Sequence, residues 1–254
     1  MCKVSVIVIT RNEEHNIREC LESIKWADEI VVVDSKSEDK TVEIAKKFTE
    51  KVFIKDWEGY GQARNFALLQ CRNDWVLWLD ADERVTPELK REIEKALQSA
   101  GNEIAGFSMP RRACFLGTWI KHCGWYPARV VRLFRKEKAK FSEDKVHEKI
   151  IIDGKILRLK SDILHYTDPN LEHYLKKLNT YTSLSAEEYI AQQKDFSIFK
   201  LVFNPLWIFV RMYIIKLGFL DGVAGFVLCV LSAYHVFIKY AKLWELSRQL
   251  KIKS

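Results

Sequence analysis

Short β-branched runs alternate with helix-like segments over the first hundred residues, and this alternation limits the fold more than any other feature. Residues 3–9, 29–34 and 75–79 are apolar runs too short for helices, so they are predicted strands. Residues 13–25 and 59–70 carry apolar side chains at helical spacing, so they are predicted helices. Strands that alternate with helices form a largely parallel sheet covered on both faces. The predicted fold class is therefore α/β, with a Rossmann-like sheet.

The remainder of the chain differs from this first part. Residues 101–167 hold aromatic and basic strand-like pieces separated by turn residues, as expected of a mixed extension of the sheet. The last sixty residues are unusually apolar and aromatic. We therefore expect two halves of one sheet domain, residues 1–100 and 101–167, followed by a helical tail, residues 168–254.

A capping residue followed by proline predicts three helix starts. Thr86-Pro87, Asp168-Pro169 and Asn204-Pro205 each place proline at the first helical position, where its missing N–H group has no cost. The helix after Asp168 is predicted to reach about residue 193. A further tail segment, residues 222–238, contains no Asp, Glu, Lys or Arg.

Charge and cysteine content restrict the partners and the compartment. The net charge is +7, which suits an anionic partner such as a membrane surface, a phosphate-rich substrate or nucleic acid. The six cysteines show no CxxC pair, so they fit a reducing compartment. Residues 1–12 lack the pattern of a secretory signal, so we expect the N-terminal body to stay in the cytosol.

Polar clusters follow three of the predicted strands. They are residues 10–14, the pair Asp34-Ser35 and residues 80–83. Ligands of open α/β sheets bind beyond the carboxyl ends of parallel strands, so these clusters should converge on one site. Asp34 alone could equally be a helix cap or loop residue, whereas two aspartates one residue apart, Asp80 and Asp82, are harder to explain in that way.

The aspartate pair indicates a divalent cation. Mg²⁺ and Mn²⁺ prefer oxygen ligands, and Mg²⁺ is commonly bound by one or two carboxylates together with substrate phosphates. Asp80 and Asp82 could share this task, one reaching the metal and the other reaching sugar hydroxyls. Such a cation would neutralise the charge that develops on a leaving diphosphate.

The order of these motifs resembles a known family. VSVIVITRNEEHNI, EIVVVDSKSEDKT, GQARNFAL and WVLWLDADERV are similar to the inverting family 2 glycosyltransferases of the GT-A fold. The later GWYP, VRLFR, VHE and HY pieces, with LEHYLKKLNTY and GFLDG, resemble the lipopolysaccharide-core glucosyltransferase-like branch. The resemblance spans nearly the whole chain and implies a nucleotide-sugar donor, with UDP-glucose as the branch expectation.

The resemblance also implies site residues for the donor and the metal. Arg64 would contact the base or phosphate, Asn65 would support its loop, and His165 would complete the metal shell, although His165 could equally be a core histidine. The metal and diphosphate site would be Asp80, Ala81 and Asp82. The nucleoside pocket would be lined by Thr10, Asn12, Glu14 and Asp34.

Direct displacement at the anomeric carbon requires a base that takes the proton of the acceptor hydroxyl. Glu148 matches the position of this base in the family, Asp144 is a rival, and His147 lies beside them as either a catalytic or a structural donor. Glu148 could also be a surface residue of a charged run. Related sequences usually read WYPD where this chain has Ala128 after Pro127, so the acceptor or sugar preference is expected to differ.

The tail indicates a membrane partner. Residues 222–238 fall slightly short of the roughly 20 residues that span a bilayer, and the preceding segment mixes Trp207 and Phe209 with Arg211 and Lys216. We therefore favour in-plane attachment to the cytoplasmic face of the inner membrane, peripheral or monotopic, over a true span. A hydrophobic dimer interface is the third interpretation.

Several functions remain open at this point. The leading one is transfer of a hexose to a hydroxyl of a lipid-linked saccharide such as lipopolysaccharide core. A polyprenyl-phosphate glycosyltransferase would share the first hundred residues. A basic nucleic-acid-binding protein is disfavoured by the clustered acids, which would repel phosphate without a metal. A non-catalytic membrane scaffold would retain the fold and release no sugar.

Overall fold

The structure is a computed structural model, and it describes residues 2–57, 59–142 and 149–253. The strands are β1 Val4–Thr10, β2 Glu29–Asp34, β3 Val52–Ile54, β4 Trp75–Asp80, β5 Glu83–Val85, β6 Ile104–Phe115, β7 Thr118–Trp119, β8 Ala128–Arg135, β9 Ala139–Phe141, β10 Ile150–Ile152, β11 Lys155–Arg158 and β12 Ile163–Asp168. The α-helices are α1 Ile17–Ser23, α2 Thr41–Ala45, α3 Tyr60–Gln70, α4 Pro87–Gln98, α5 Leu171–Ala191, α6 Ile198–Val210 and α7 Gly222–Lys253. The alternation predicted for the first hundred residues is therefore confirmed.

The chain forms two compact units. The first comprises Met1–Arg111 and Ala128–His165, and the second comprises Arg112–Pro127 and Tyr166–Ser254. The first unit carries the parallel strands and the polar clusters that follow them. The second unit carries the long helices α5, α6 and α7. The predicted boundaries after residues 100 and 167 stay predictions.

A mixed sheet has the strand order β3-β2-β1-β4-β8-β6-β12-β5 within the described residues. β2 and β4 pair parallel to β1, and β3 pairs parallel to β2. β8 pairs antiparallel to β4 and to β6. The expected mixed extension of a parallel sheet is therefore confirmed.

Alternate residues of β1 supply two different cores. Val8 is fully buried and packs in one apolar cluster with Leu21 of α1 and Leu89 of α4. Its neighbour Ile7 is also fully buried and belongs to a second cluster with Ala67 of α3. Successive side chains of a strand point to opposite faces, so helices on both faces bury this strand completely. The strand ends at the polar residue Thr10, at the carboxyl edge of the parallel strands.

The capping rule is confirmed at one predicted helix start and wrong by a few residues at the next. Thr86 Oγ1 accepts a hydrogen bond from the Leu89 amide at 3.1 Å, and Pro87 begins α4. α5 begins at Leu171, and its cap is Asn170, which accepts from the His173 amide at 2.8 Å. Asp168 is not the cap because it still belongs to β12.

The two later tail predictions are also corrected. α6 begins at Ile198, so Asn204-Pro205 lies inside the helix and does not open it. Asn204 is used elsewhere, because its amide donates to the Tyr240 hydroxyl at 3.0 Å. The segment predicted to end at residue 238 continues as α7 to Lys253.

The second unit is built around α7, against which both α5 and α6 pack. Its first core contains the buried residues Phe115, Ile120, Cys123, Leu228 and Cys229. Asp221, just before α7, is buried and accepts hydrogen bonds from the amides of Lys121 and His122 at 3.2 and 2.8 Å. These bonds fix the start of α7 to the 112–127 segment of the same unit.

Candidate active site

Three polar clusters meet at one edge of the sheet. In the strand register, Thr10 lies opposite Asp34 of β2, and Ile9 lies opposite Asp80 of β4. Thr10, Asp34 and Asp80 therefore end three adjacent strands at the same level. The structure brings these residues together as the topology predicted.

The loop residues predicted for the nucleoside pocket, Asn12 and Glu14, are hydrogen-bonded to the loop after β2. The Asn12 amide donates to Ser37 Oγ at 2.8 Å, and Asn12 Oδ1 accepts from the Glu38 amide at 2.9 Å. Glu14 Oε2 accepts from the Lys40 amide at 3.1 Å. The loop after β1 is thus tied to the loop after β2, which forms a fixed rim at this edge.

Asp34 and Thr10 lie below this rim and differ in how their oxygens are used. The fully buried Asp34 accepts hydrogen bonds from the Ser37 amide at 2.8 Å and the Ser37 hydroxyl at 2.5 Å. Asp34 therefore holds its own loop in place, which agrees with the alternative that it is a loop residue. The buried Thr10 Oγ1 has no hydrogen-bond partner among the described residues, which leaves a polar atom for a ligand to engage.

Two arginines hold Asp80 at the end of β4. Arg132 Nη2 donates to Asp80 Oδ2 at 2.8 Å, and Arg64 Nη2 lies 3.5 Å from Asp80 Oδ1. Burial alone raises the pKa of Asp80, but the charges of Arg132 and Arg64 outweigh it and lower the pKa to about 2. Both guanidinium groups stack on Trp78, 3.7 and 4.1 Å from its ring centroid respectively. Asp80 is therefore ionised at neutral pH, and the two arginines hold its carboxylate in one orientation.

Glu83 and Arg132 form a buried ion pair behind Asp80, and the sequence analysis gave neither residue a role of its own. Arg132 Nη2 donates to Glu83 Oε1 at 2.6 Å, and the exposed fractions of the side chains are 2% and 0%. Glu83 Oε2 also accepts from the Asp80 amide at 3.1 Å. Burial raises the pKa of Glu83, and the charge of Arg132 opposes that effect. The pair therefore holds the turn formed by residues 80–83, here called the aspartate turn, from its buried side.

Asp82 of the turn and His165 of the neighbouring strand β12 form the part of the site that fits a cation. His165 Nε2 lies 3.1 Å from Asp82 Oδ2, and the side chains keep 14% and 21% exposure for His165 and Asp82 respectively. Among the described residues, no group of three or more His, Cys, Asp or Glu side chains is arranged to hold a metal alone. A carboxylate suits Mg²⁺ or Mn²⁺ when substrate phosphates and water complete the shell, and the imidazole beside it offers one nitrogen ligand. Ala81 between the aspartates is buried and supports the turn through its backbone.

Asn65 connects α3 to the small strand pair β9–β10. Its amide donates to the Phe141 carbonyl, and its Oδ1 accepts from the Phe141 amide, both at 3.0 Å. Asn65 thus holds the end of β9 against α3. The candidate bases Asp144, His147 and Glu148 follow this strand and lie outside the described residues.

The assembled groups suit a diphosphate ligand. Asp82 and His165 offer cation ligands, Arg64 lies on the neighbouring helix, and Thr10 offers an unused hydroxyl. Guanidinium groups recognise phosphate with several N–H donors at once. A nucleotide with its base over β1 and β2 would place its phosphates at the end of β4.

Comparison with known proteins places the chain in a family. Residues 5–166 match the family described as Glycosyl transferase family 2. An uncharacterised glycosyltransferase of Rickettsia typhi is 34% identical over 97% of this chain and 88% of the relative. The lipopolysaccharide core biosynthesis glycosyltransferase LpsC of Rhizobium meliloti is 30% identical over 95% of this chain and 92% of its own length.

Among solved structures, Staphylococcus aureus TarS 1–349 in complex with UDP is 19% identical, with a TM-score of 0.47 over 97% of this chain and 91% of TarS. The family match and the mixed sheet confirm the expected GT-A fold. The chain belongs to glycosyltransferase family 2.

Proposed function

We propose that the protein is an inverting, metal-dependent hexosyltransferase that moves glucose from UDP-glucose to a hydroxyl of a lipid-linked saccharide such as lipopolysaccharide core. The observation that carries this proposal is the strand register that sets Thr10, Asp34 and Asp80 side by side. The similarity to LpsC supports a lipopolysaccharide-type acceptor. The UDP donor and the hexose follow from the family resemblance.

In this proposal the donor lies across the carboxyl ends of β1, β2 and β4. Thr10 faces the nucleoside, Asp34 holds the loop after β2 beside it, and Arg64 faces the phosphates. Asp82 and His165 would hold Mg²⁺ or Mn²⁺, which supplies Lewis-acid neutralisation of the leaving diphosphate. Asp80 is kept in place by Arg132 and positions the sugar.

Inversion needs one proton transfer. The acceptor hydroxyl attacks the anomeric carbon, its proton goes to a carboxylate, and the bond to the diphosphate breaks on the opposite side. Glu148 is the proposed base, with Asp144 as the rival and His147 as a neighbouring donor. Asn65 holds the end of β9, from which the segment with these residues departs.

A donor panel tests the central claim. UDP-, GDP- and dTDP-sugars, each with Mn²⁺, Mg²⁺ or EDTA, are added to the full chain, and thermal stabilisation and sugar release are measured. We expect a UDP-sugar to stabilise the protein only with metal. Asp82→Asn should abolish this response, whereas the exposed Asp153→Asn should retain it. If no donor stabilises the protein, or if Asp82→Asn responds like its parent, the proposed function is wrong.

The base is tested separately. Glu148→Gln should lose sugar transfer while UDP still binds with metal, because the amide cannot accept the proton. Asp144→Asn serves as the matched variant, and the variant with the larger loss of turnover identifies the base. Near-normal turnover in both variants would instead support a phosphate acceptor, which needs little base catalysis.

The second proposal concerns the membrane. Two stretches of the described chain, Ile198–Ile215 and Gly218–Gln249, are long and apolar enough to cross a bilayer. None of the first stretch is buried within the protein. Phe199, Phe203 and Trp207 of α6 are 63%, 50% and 56% exposed. An apolar helix face left this open suits contact with lipid.

The packing of α5 favours attachment in the membrane plane over a span. Lys242 of α7 donates to Asn179 Oδ1 at 2.7 Å and to Thr182 Oγ1 at 2.9 Å, both on α5. α5 also exposes its charges, since the side chains of Glu172 and Lys176 are 76% and 75% exposed. A span by α7 would draw these charges into hydrocarbon, at roughly 2.5–3.5 kcal/mol each. We therefore propose that the protein attaches to the membrane as a monotopic or peripheral enzyme, on the cytoplasmic face that the sequence analysis favours.

Vesicle sedimentation tests this attachment. Replacing both Phe203 and Trp207 by glutamate should lower partition into anionic vesicles by about tenfold or more, because two large apolar side chains no longer enter the interface. The matched control replaces Tyr181 and Leu184 of α5 by glutamate and should retain vesicle binding; these side chains are 50% and 46% exposed. Equal losses in the two double variants would contradict the assignment of α6 as the membrane face.

A further inference from the structure

The loop after β3 carries a large aromatic side chain at the carboxyl edge of the parallel strands. β3 pairs parallel to β2, and its last residue, Ile54, lies opposite Asp34 in the register. The loop that follows, residues 55–59, therefore starts at the same level as the loop after β2. Its Trp57 is 42% exposed. Ligands of open α/β sheets bind at this edge, so the position of Trp57 is one where a ligand is expected.

Trp57 stands out among the loops that follow the four parallel strands. By sequence, it is the one Phe, Tyr or Trp in these loops, which are residues 11–16, 35–40, 55–59 and 81–82. Among the described residues, it belongs to neither of the two apolar clusters that β1 supplies. A tryptophan that remains exposed at a ligand-binding edge offers a flat apolar surface to a flat ligand group.

The start of this loop has a defined position. The Lys55 amide donates to the Asp34 carbonyl at 2.9 Å, which joins the loop to the end of β2. Lys55 Nζ lies 4.3 Å from the ring centroid of Phe66, so its side chain is also held against α3. Trp57 follows only two residues later and therefore stays near the end of β2.

The loop after β3 also borders the rim of the nucleoside side. Asp56 forms an ion pair with Lys36 of the loop after β2. The same loop contacts the loop after β1, because Ser37 Oγ accepts from the Asn12 amide at 2.8 Å. An exposed ion pair contributes little to stability, but it shows which loops are neighbours. Trp57 is therefore next in line after the two loops of the rim.

The strand spacing fits a nucleoside diphosphate that lies across these strands. From the proposed cation site outward, the strand order is β4, β1, β2 and β3. Neighbouring strands lie about 4.8 Å apart, so the end of β3 is roughly 14 Å from the end of β4. This distance is comparable to the length of an extended nucleoside diphosphate. With the phosphates at Asp82, the ribose reaches β1 and the base reaches β2 and the loop after β3.

We propose that Trp57 stacks on the base of the donor nucleotide, an inference that rests on the proposed function for the identity of the ligand. Every nucleobase has an apolar π-face, and stacking on an indole removes both faces from water. Stacking of this kind does not depend on which base is present. Trp57 therefore adds affinity for the nucleoside, and hydrogen bonds along the edge of the base decide which base is accepted.

Calorimetric titration of the full chain with UDP and Mn²⁺ tests this stacking. Trp57→Ala should weaken UDP binding by about fivefold or more, which is the lower range for stacking of one base on an aromatic side chain. Trp57→Phe retains a ring and should stay within about threefold of the parent. The matched control is Trp244→Ala on α7, because Trp244 is 45% exposed. Its UDP affinity should equal that of the parent.

Intrinsic fluorescence separates stacking from a structural role of Trp57. A nucleobase quenches the indole on which it stacks, so saturation with UDP and Mn²⁺ should lower the fluorescence of the parent chain. Most of this decrease should be absent in Trp57→Phe. A decrease of equal size in Trp57→Phe would show that another tryptophan faces the nucleotide, and the inference would be wrong.

The remaining outcomes distinguish this inference from the proposed function. If UDP binds the parent and Trp57→Ala equally, the inference is wrong, while the proposed function stands. Inorganic pyrophosphate with Mn²⁺ has no base, so it should respond alike in the parent and in Trp57→Ala. If its affinity falls by the same factor as that of UDP, Trp57 acts on the phosphate end and does not stack on the base. If UDP fails to bind the parent chain with any metal, the proposed function fails, and the role of Trp57 fails with it.

Discussion

Replacing Asn65 by alanine removes both hydrogen bonds that hold the end of β9 against α3. The amide and the carbonyl of Phe141 each lose a partner at 3.0 Å. Phe141 is 1% exposed, and its ring packs edge-on against Trp78 and Phe134 at centroid distances of 5.2 and 5.9 Å. Water therefore has little access to the two backbone groups that the substitution leaves unpaired.

The size of the effect follows from these two groups. A buried polar group without a partner is destabilising by about 1–3 kcal/mol. Partial relaxation of β9 relieves some of this, so we expect Asn65→Ala to lower the free energy of unfolding by roughly 2–4 kcal/mol. Asn65→Asp retains the acceptor for the Phe141 amide and loses the donor, so its effect should be smaller.

Urea denaturation and hydrogen exchange measure this prediction. Gln62→Ala is the matched control, because Gln62 is an exposed residue of the same helix. Its unfolding free energy should stay within about 0.5 kcal/mol of the parent. Exchange of the Phe141 amide should accelerate in Asn65→Ala alone. If Asn65→Ala and Gln62→Ala have the same free energy of unfolding, the hydrogen bonds between Asn65 and Phe141 do not stabilise the protein as predicted.

Asn65→Ala should also separate binding from chemistry. The segment that carries the proposed base follows β9, whereas the residues proposed for the nucleoside lie at the ends of β1 and β2 and in the loop after β1. Sugar transfer should therefore fall at least tenfold while UDP affinity with Mn²⁺ changes less than threefold. An equal loss in both quantities would show that Asn65 acts on the donor instead.

Three further substitutions test the framework. Glu29 is bonded by Lys51, Ser5 and the Arg72 amide, which outweigh its burial and lower its pKa. The lowered folded-state pKa of Glu29 stabilises the protein fully above the unfolded value of 4.5, and this stabilisation is lost as the pH falls through the lower folded-state pKa. Glu29→Gln should therefore destabilise the protein at pH 7 by roughly 1–3 kcal/mol, and the denaturation curves of variant and parent should approach each other as the pH is lowered below 4.5. Thr86→Ala removes the cap of α4 and should lower the unfolding free energy by about 1 kcal/mol in urea, with no change in UDP affinity. Leu77→Ala leaves a cavity beside the central strand β4 and should lower the unfolding free energy in urea by about 2–5 kcal/mol. A smaller loss would mean that the core closes around the missing side chain.

The sheet was predictable because its strands are buried on both faces. A strand such as β1 reads as a continuous apolar run, and its polar end marks the carboxyl edge. Parallel topology then requires that Thr10, Asp34 and Asp80 meet, which the register shows. Periodicity alone was sufficient for that conclusion.

The place of Arg132 in the site was not predictable by the same reasoning. Arg132 lies in a strand between Val131 and Leu133, and a charge in an apolar strand was the only local signal for its burial. Its partner Glu83 is distant in sequence, so the pairing depends on which strands become neighbours. The antiparallel contact of β4 with β8 decides this, and local patterns carry no information about it.

Helix starts in the tail failed for a related reason. Asn and Asp before proline act as caps only when their side chains are not required elsewhere. Asn204 is taken by Tyr240, and Asp168 still belongs to a strand. Tertiary contacts therefore overrode a local signal that was correct at Thr86.

The rim of the nucleoside side has a consequence for engineering donor preference. Five hydrogen bonds between described residues join the loop after β1 to the loop after β2, through Asn12, Glu13 and Glu14 on one side and residues 37–41 on the other. A chimera that exchanges only one loop with a relative breaks this interlock and loses the shape of the rim. The two loops therefore need to be exchanged together, and under the proposed function such a double exchange is the way to test whether this rim sets the choice of base.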